Sequence, residues 1–171
     1  IGFCLTYLQK HYDFTHNDLH INNIMYTNDS SRTYLYYKIN NKYFRVPTYG
    51  KIFKIIDFGR SIITINNKVY MNDVYSKNGE AYGQYKYPEQ VNFKKDEEYI
   101  DLKQSNEYFD MCRLAMTILD ELNMDEIKNK ELYDLLIKIS TNEEGVNFLK
   151  YPDDFDLYID ICRYAKNSKP R

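Results

Sequence analysis

Two short stretches contain side chains of the kinds that transfer protons and bind cations. Residues 16–23 read HNDLHINN, so Asp18 lies between two histidines and is followed five residues later by Asn23. Residues 54–59 read KIIDFG, in which Asp57 follows an apolar segment. Carboxylate, imidazole and amide groups can act in acid–base catalysis or as ligands of hard cations. Taken alone, each stretch is explained more simply by a polar turn, with a helix cap at the first and an edge-strand turn at the second.

The hydrophobic pattern predicts the elements that flank these stretches. Apolar residues recur at helical spacing over residues 1–12, which predicts a helix that leads into the first stretch. Residues 24–27 form a short strand candidate directly after Asn23. Residues 51–58 form a longer strand candidate that carries Asp57 near its apolar end. Each polar stretch is therefore expected to adjoin a strand.

Two pairs of adjacent asparagines predict β-hairpins. Asn40-Asn41 separates strand-like residues 34–39 from residues 42–46. Asn66-Asn67 separates the strand-like segments 62–65 and 68–71 in the same way. Asparagine tolerates the positive φ angles that two-residue hairpin turns require, although Asn-Asn is a weaker signal than Asn-Gly.

Beyond residue 92 the pattern changes from strands to helices. After a polar, charge-rich connection over residues 92–104, Ser105 is a candidate N-cap for a helix through Leu122. The middle of this helix, residues 111–119, is apolar nearly all round, which predicts burial in the domain. Two further helices are expected over residues 131–139 and, capped by Asp153 or Asp154, over residues 155–165. The predicted fold is α+β, mainly helical, with a small layer of β-hairpins near the start of the chain.

The composition excludes several classes of protein. A chain of 171 residues with 43% hydrophobic residues and a net charge of −2 is expected to form one globular domain, not a disordered or polyanion-binding chain. No apolar run approaches the roughly 20 residues that span a bilayer, and nothing resembles a signal peptide. We therefore expect no nucleic-acid partner, no membrane partner and a cytoplasmic location. The three cysteines, Cys4, Cys112 and Cys162, have no metal-binding spacing and are expected to be reduced core residues.

Four features in order resemble the C-terminal lobe of the protein kinase superfamily. Residues 16–23 fit the pattern H-x-D-L-x-x-x-N, and Asp-Phe-Gly follows at residues 57–59. Tyr87-Pro88-Glu89 lies where the family closes its activation segment with Ala-Pro-Glu. Asp110 lies where the family has a buried aspartate that braces the catalytic-loop backbone. By this resemblance, residues 1–171 form a partial kinase domain.

The resemblance also divides the chain into parts. Residues 28–50 are expected to form an inserted β-hairpin, and residues 57–89 the activation segment. No glycine-rich loop, strand lysine or helix with a partnering glutamate is found, so the resemblance implies an N-terminal lobe that is missing here and supplied in cis. The chain opens on Ile1, which suggests a piece of a longer protein. The full-length protein is expected to be active and this fragment alone to be inactive.

The resemblance implies catalytic and cofactor-binding roles for particular residues. Asp18 would accept or orient the proton of the attacking hydroxyl, as the catalytic base. Asn23 and Asp57 would hold Mg²⁺, which bridges the phosphates of ATP. Met25 and Ile56 match positions that line the floor of the adenine pocket, although ordinary β-layer core residues would have the same character.

The resemblance also implies structural roles. His16 and Phe58 match positions that pack against neighbouring groups, which makes His16 a brace and not a catalyst. Gly59 gives the backbone freedom after the metal ligand. Glu89 commonly pairs with an arginine near the end of the lobe, and Arg163 is the candidate. The alternative is a plain surface pairing or no pairing at all.

Two residues depart from the family pattern. Asn17 replaces the usual arginine before the catalytic aspartate, so the cation that clamps a phosphorylated activation loop is absent. His20 replaces the lysine typical of Ser/Thr kinases. His20 could donate to the γ-phosphate of ATP as part of the catalytic group, or it could be a simple surface histidine of the loop.

The function implied by the resemblance is ATP-dependent phosphoryl transfer to a Ser/Thr hydroxyl of a protein substrate. The long hairpin before KIIDFGR and a composition typical of an AT-rich genome resemble protein kinases of large DNA viruses, which would place the protein in host cytoplasm or virion. Two alternatives remain. One is a small-molecule phosphotransferase of the aminoglycoside or choline kinase type, and the other is a pseudokinase or virion-associated binding module.

Overall fold

The structure is a computed structural model of the chain. It describes residues 1–76, 78–85, 91–92, 101–102, 106–122, 126–151 and 155–169. These residues form a mixed fold of four α-helices and small antiparallel β-sheets, which confirms the mixed character expected from the sequence. Among the described residues, no helix is both long and apolar enough to cross a membrane.

The elements follow one another in the order expected from the hydrophobic pattern. The helices are α1 (Gly2–Tyr12), α2 (Phe109–Glu121), α3 (Lys130–Ile139) and α4 (Phe155–Tyr164). The strands are β1 (Ile24–Asn28), β2 (Tyr34–Ile39), β3 (Lys42–Pro47), β4 (Lys51–Ile55), β5 (Ile63–Ile65), β6 (Lys68–Tyr70), β7 (Val91–Asn92) and β8 (Asp101–Leu102).

The strands pair two by two, always antiparallel: β1 with β4, β2 with β3, β5 with β6 and β7 with β8. Both predicted hairpins are present, with their turns at the two Asn-Asn pairs. The φ angles are 49° and 63° at Asn40 and Asn41, and 52° and 61° at Asn66 and Asn67. Positive φ at both central residues matches the right-handed twist of the flanking strands, so the sequence of each turn fixes the register of its hairpin.

Helix α2 lies at the centre of the described part of the chain. It contributes buried side chains to all three apolar clusters, for example Phe109 to the first, Leu114 to the second and Ala115 to the third. The second cluster also holds Leu5 of α1 and Leu19 of the loop that contains Asp18. The predicted burial of the apolar helix is therefore confirmed, and the loop is anchored on it.

Two element boundaries differ from the prediction. Strand β4 ends at Ile55 and not at Phe58, because Asp57 has a φ angle of 59°, which is incompatible with extended backbone. Helix α2 begins at Phe109 and not directly after Ser105. The Asn106 side chain accepts the N–H of Tyr108 at 3.1 Å, and this local turn delays the start of the helix.

Other expectations are corrected or lie outside the described residues. All three cysteines are free, and Cys112 and Cys162 are buried, but Cys4 is exposed because α1 buries the face that carries Leu5 and Gln9. The candidate caps Ser105, Asp153 and Asp154 and most of the connection 92–104 lie outside the described residues.

Candidate functional site

The backbone of the loop that contains Asp18 is held by the buried carboxylate of Asp110. Asp110, fully buried in the first turn of α2, accepts the backbone N–H of His16 at 2.8 Å and that of Asn17 at 2.9 Å. Asn17 has a φ angle of 65°, so the chain turns sharply here, just before Asp18. Burial raises the pKa of Asp110 to about 7, while the two N–H groups act in the opposite direction. The structure thus places Asp110 where it can brace the loop backbone, as the resemblance implies.

His16 joins the loop to the end of strand β4. Its Nε2 lies 2.9 Å from the carbonyl oxygen of Ile56, and its Nδ1 lies 3.3 Å from the backbone nitrogen of Asp18. An N–H of the ring at Nε2 can donate to the carbonyl while Nδ1 accepts from Asp18, which is the pattern of a neutral imidazole. Burial lowers the pKa of His16, and the Ile56 carbonyl and the carboxylates of Asp18 and Asp57 partly offset that effect. Through these contacts His16 holds the loop backbone to the segment that follows β4.

Asn23 is the second connection between the loop and strand β4. Its backbone carbonyl oxygen accepts the N–H of Ile56 at 3.0 Å. Its side-chain Nδ2 donates to the backbone carbonyl oxygen of Asp18 at 2.9 Å and lies 3.2 Å from Nε2 of His20. Because both side-chain contacts use Nδ2, the amide oxygen of Asn23 is the atom that can ligate a cation.

Asp57 is the residue directly after Ile56, whose N–H binds Asn23. It follows Ile56, which both His16 and Asn23 contact, and its left-handed backbone turns the chain away from the strand. Its Oδ1 accepts a long hydrogen bond of 3.4 Å from the N–H of Gly59. A Cβ at position 59 would lie 3.3 Å from this oxygen, so glycine leaves space beside the carboxylate. The structure therefore brings Asp18, Asn23 and Asp57 into one region.

His20 lies beside the same groups but partly in solvent. Its Nε2 is 4.0 Å from Oδ2 of Asp18, and about a quarter of its side chain is exposed. Its Nε2 also lies 3.2 Å from Nδ2 of Asn23. His20 thus lies beside Asp18 and Asn23, and its exposed part is open to a bound group.

Sequence analysis did not identify Arg60 as a partner of Asp18. The Arg60 Nε lies 3.9 Å from Oδ2 of Asp18 and 3.4 Å from Oε1 of Glu80. Its Nη1 donates to Gln84 at 2.8 Å and to the Tyr85 hydroxyl at 3.2 Å. Burial opposes the charge of Arg60, but the hydrogen bond to Tyr85 and the carboxylates of Asp18 and Glu80 together raise its pKa. The sequence feature that could have indicated this role is the position of Arg60 directly after Asp-Phe-Gly.

Two buried tyrosines, which sequence analysis also missed, hold Asn17. The Asn17 Nδ2 donates to the Tyr75 hydroxyl at 2.9 Å and to the carbonyl oxygen of Arg60 at 3.1 Å. Tyr75 in turn donates to the carbonyl oxygen of Arg60, and Tyr85 donates to that of Asn17. Burial raises the pKa of both tyrosines, so both hydroxyls keep their protons. We call Asn17, Arg60, Tyr75 and Tyr85 the hydroxyl network.

A tight turn at Gly79 positions the two tyrosines. The N–H of Ala81 donates to the carbonyl oxygen of Val74 at 2.9 Å, which folds the segment back on itself. A Cβ at position 79 would lie 2.2 Å from that same carbonyl oxygen, so no other residue fits without a backbone shift. Tyr75 precedes this turn and Tyr85 follows it, and their rings meet with centroids 5.8 Å apart.

Met25 and Ile56, which are expected at the adenine pocket, and Phe58, which is expected to pack against its neighbours, are all exposed to solvent. Met25 is 55% exposed, Phe58 is 50% exposed and Ile56 is 37% exposed. Neither Met25 nor Ile56 is buried among the described residues. Phe58 contacts His16 with ring centroids 5.4 Å apart, but its remaining surface is uncovered. Ile56 and Phe58 directly flank Asp57 in the chain, and Met25 lies on strand β1, which pairs with β4.

The predicted pairing of Glu89 with Arg163 cannot be compared with the described residues. Glu89 lies outside the described residues, so its pairing with Arg163, which is exposed, stays a prediction.

No group of three or more His, Cys, Asp or Glu side chains that could hold a metal was found in the described part of the chain. A site built from Asn23 and Asp57 has one carboxylate and one amide, and Mg²⁺ commonly uses few protein ligands together with phosphate and water.

No protein-family model matches this chain, and no curated protein matches it.

Proposed function

We propose that this chain forms the catalytic lobe of an ATP-dependent kinase that phosphorylates Ser/Thr hydroxyls of proteins. The observation that supports this function most strongly is the convergence of Asp18, Asn23 and Asp57. Asp18 and Asn23 lie in one loop, whereas Asp57 is distant from both in sequence. Two contacts to Ile56, which precedes Asp57, connect the loop to it, one from the His16 ring and one from the Asn23 backbone.

The proposed base is Asp18. Its backbone is held on both sides, by His16 at the nitrogen and by Asn23 at the carbonyl oxygen. A carboxylate on so fixed a backbone can orient an attacking hydroxyl and accept its proton, and phosphoryl transfer depends largely on such positioning. The Arg60 Nε lies 3.9 Å from Oδ2 of Asp18 and would restrict the rotation of this carboxylate.

The donor set fits Mg²⁺ and ATP. The amide oxygen of Asn23 and the carboxylate of Asp57 are hard oxygen ligands, which Mg²⁺ prefers, and bound Mg²⁺ would neutralise phosphate charge. The exposed side chains of Met25 and Ile56 would contact the adenine ring. The proposal includes a second, nucleotide-binding lobe in the same polypeptide, because these residues provide only one side of a nucleotide site.

The test is a transfer assay with a longer protein that contains these residues together with the proposed nucleotide-binding lobe. With γ-labelled ATP and Mg²⁺, label should appear on serine or threonine of protein acceptors. Aminoglycosides and choline are offered in parallel. Label on these small molecules and not on proteins would favour a small-molecule phosphotransferase. Nucleotide binding without transfer to any acceptor would favour a binding module.

A further inference from the structure

The inserted hairpin β2–β3 has one face fixed against helix α1. The ring of Tyr37 stacks on Phe3 with centroids 4.6 Å apart, and Phe44 lies 5.0 Å from the same ring. Near the tip of the hairpin, Lys10 of α1 donates to the side-chain oxygen of Asn40. These contacts hold the hairpin against α1, so its opposite face points away from the helix.

We define the outer face as the six residues that alternate with the packed ones. They are Tyr34, Tyr36, Lys38, Tyr43, Arg45 and Pro47. In the register, Tyr36 is opposite Arg45 and Lys38 is opposite Tyr43, so aromatic and cationic side chains alternate across the two strands. Tyr36 is 74% exposed and Tyr43 is 77% exposed.

Cations lie against the tyrosine rings of this face. The guanidinium of Arg45 is 4.7 Å from the centroid of the Tyr34 ring, and the ammonium of Lys38 is 5.4 Å from that of Tyr43. Such cation–π contacts hold the long side chains close to the sheet, with their charges available to an anion.

The charge of this region differs from that of the whole chain. The segment from residue 30 to residue 56 contains no Asp or Glu, whereas the whole chain has a net charge of −2. Its cationic residues are Arg32, Lys38, Lys42, Arg45, Lys51 and Lys54. Two of these cations, Lys38 and Arg45, lie on the outer face, whereas Arg32 is paired with Asp29 at 3.6 Å. A surface with an excess of one sign attracts a partner of the opposite sign, whatever the average charge of the chain.

We propose that the outer face binds single-stranded nucleic acid. Bases stack on exposed aromatic rings while nearby cations contact the phosphates, and a single strand offers both groups at once. An acidic peptide would use only the cations, because the face of an aromatic ring carries the negative part of its quadrupole and repels carboxylates. A duplex keeps its bases stacked inside, and the hairpin cannot enter a groove as a ribbon because its other face is packed on α1.

This proposal is independent of the proposed kinase activity. It replaces the expectation of no nucleic-acid partner, which rested on the net charge averaged over the chain.

The test is fluorescence anisotropy of the 171-residue chain with a labelled oligouridine of about 12 nucleotides, within the range of single-strand site sizes. Binding should weaken as salt rises, with a slope of about −0.7 in log–log form for each phosphate contact. The double variant Tyr36→Ala/Tyr43→Ala keeps every charge and should lower the affinity by about fivefold or more for each ring removed. Tyr49→Ala, at another highly exposed tyrosine, is the control and should bind as the parent does.

A second variant keeps the test decisive if the ring variant does not fold. Lys38→Gln/Arg45→Gln should bind more weakly and should reduce the salt slope by about 1.4, which is two contacts at 0.7 each. Polyglutamate and vesicles containing phosphatidylserine are used as competitors. Equal binding by parent and both variants, or displacement of the oligonucleotide by polyglutamate or vesicles at equal charge concentration, would overturn the proposal.

Discussion

Tyr85 donates its buried hydroxyl to the main-chain carbonyl oxygen of Asn17, with 2.5 Å between the two oxygen atoms. The same hydroxyl accepts a hydrogen bond from Arg60, and Tyr75 contacts the side chain of Asn17. The segment that follows Asp57 is therefore attached to the loop of Asp18 by unmodified side chains. Neutral hydroxyls contact Asn17, which by the proposed kinase function would replace an arginine that binds a phosphate.

The first prediction concerns the stability of this network. Tyr85→Phe leaves the Asn17 carbonyl oxygen buried without this donor, so the free energy of unfolding should fall by about 1–3 kcal/mol. Urea denaturation of the 171-residue chain measures it. Tyr49→Phe removes the hydroxyl of an exposed tyrosine and should leave the stability unchanged. Equal stability of the two variants would show that the hydroxyl network contributes nothing.

The second prediction concerns regulation of the proposed kinase. Because the hydroxyl network already holds the segment to the loop, and Asn17 cannot neutralise a phosphate dianion, the enzyme should be active without phosphorylation of the segment from Asp57 to Glu89. Activity is measured before and after phosphatase treatment. Mass spectrometry should confirm that Thr64, Ser76 and the segment tyrosines are unmodified. A large loss of activity that returns on rephosphorylation would contradict the prediction.

The third prediction separates proton transfer from nucleotide binding. Asp18→Asn should reduce the rate of transfer at least a hundredfold, because it removes the proposed base, and should leave the affinity for Mg²⁺-ATP nearly unchanged. Asp13→Asn in the same loop is a matched control, since Asp13 is exposed and asparagine tolerates its left-handed backbone. Near-normal turnover of Asp18→Asn would remove the catalytic assignment.

The fourth prediction concerns the proposed metal ligand Asp57. Loss of its charge should weaken Mg²⁺-nucleotide binding by at least the roughly tenfold that even an outer-shell change causes. Asp57→Asn is preferable to Asp57→Ala, because the φ angle of 59° would strain an alanine. Calorimetric titration with nucleotide is run with and without Mg²⁺. Equal affinities of variant and parent in Mg²⁺ would show that Asp57 is not a ligand.

The fifth prediction is a pH dependence of stability that originates at Asp110. Its pKa is raised from 3.8 to about 7 in the folded protein, so between these values the folded state holds more protons than the unfolded state. The free energy of unfolding should therefore fall as pH rises from about 4 to about 7, with about 1.4 kcal/mol for each unit of pKa difference. Thermal denaturation across this range measures the slope.

Asp110→Asn should flatten this slope, and Asp134→Asn on helix α3 controls for the loss of one carboxylate. His16 acts in the opposite direction in both proteins. Its pKa is lowered on folding, so below its ordinary value of 6.5 the unfolded state takes up the proton first and stability is lost as pH falls. If parent and Asp110→Asn have the same slope, Asp110 does not titrate in this range.

Local features of the fold could be predicted from the sequence. The two Asn-Asn turns and the alternation of the strands beside them are properties of a few neighbouring residues, and both hairpins are present. The apolar pattern of α2 similarly predicted its burial. By contrast, the end of β4 depends on the backbone angle of Asp57, which no propensity of aspartate specifies.

Only the site residues that belong to a recognisable sequence motif could be predicted. Asp18, Asn23 and Asp57 could be selected by spacing. Arg60 and Tyr85 could not, because their contact depends on how the segment folds back over the loop. A chain with many tyrosines gives no indication of which of them are buried, since burial is decided by tertiary packing.

The close approach of Gly79 to the carbonyl oxygen of Val74 defines a search pattern for diverged relatives. A chain that builds the same turn should have glycine four residues after the first buried tyrosine and six residues before the second. It should also have asparagine directly before the loop aspartate and arginine directly after Asp-Phe-Gly. These five positions depend on one another through packing and hydrogen bonds, so the combination can be recognised where overall sequence similarity has faded.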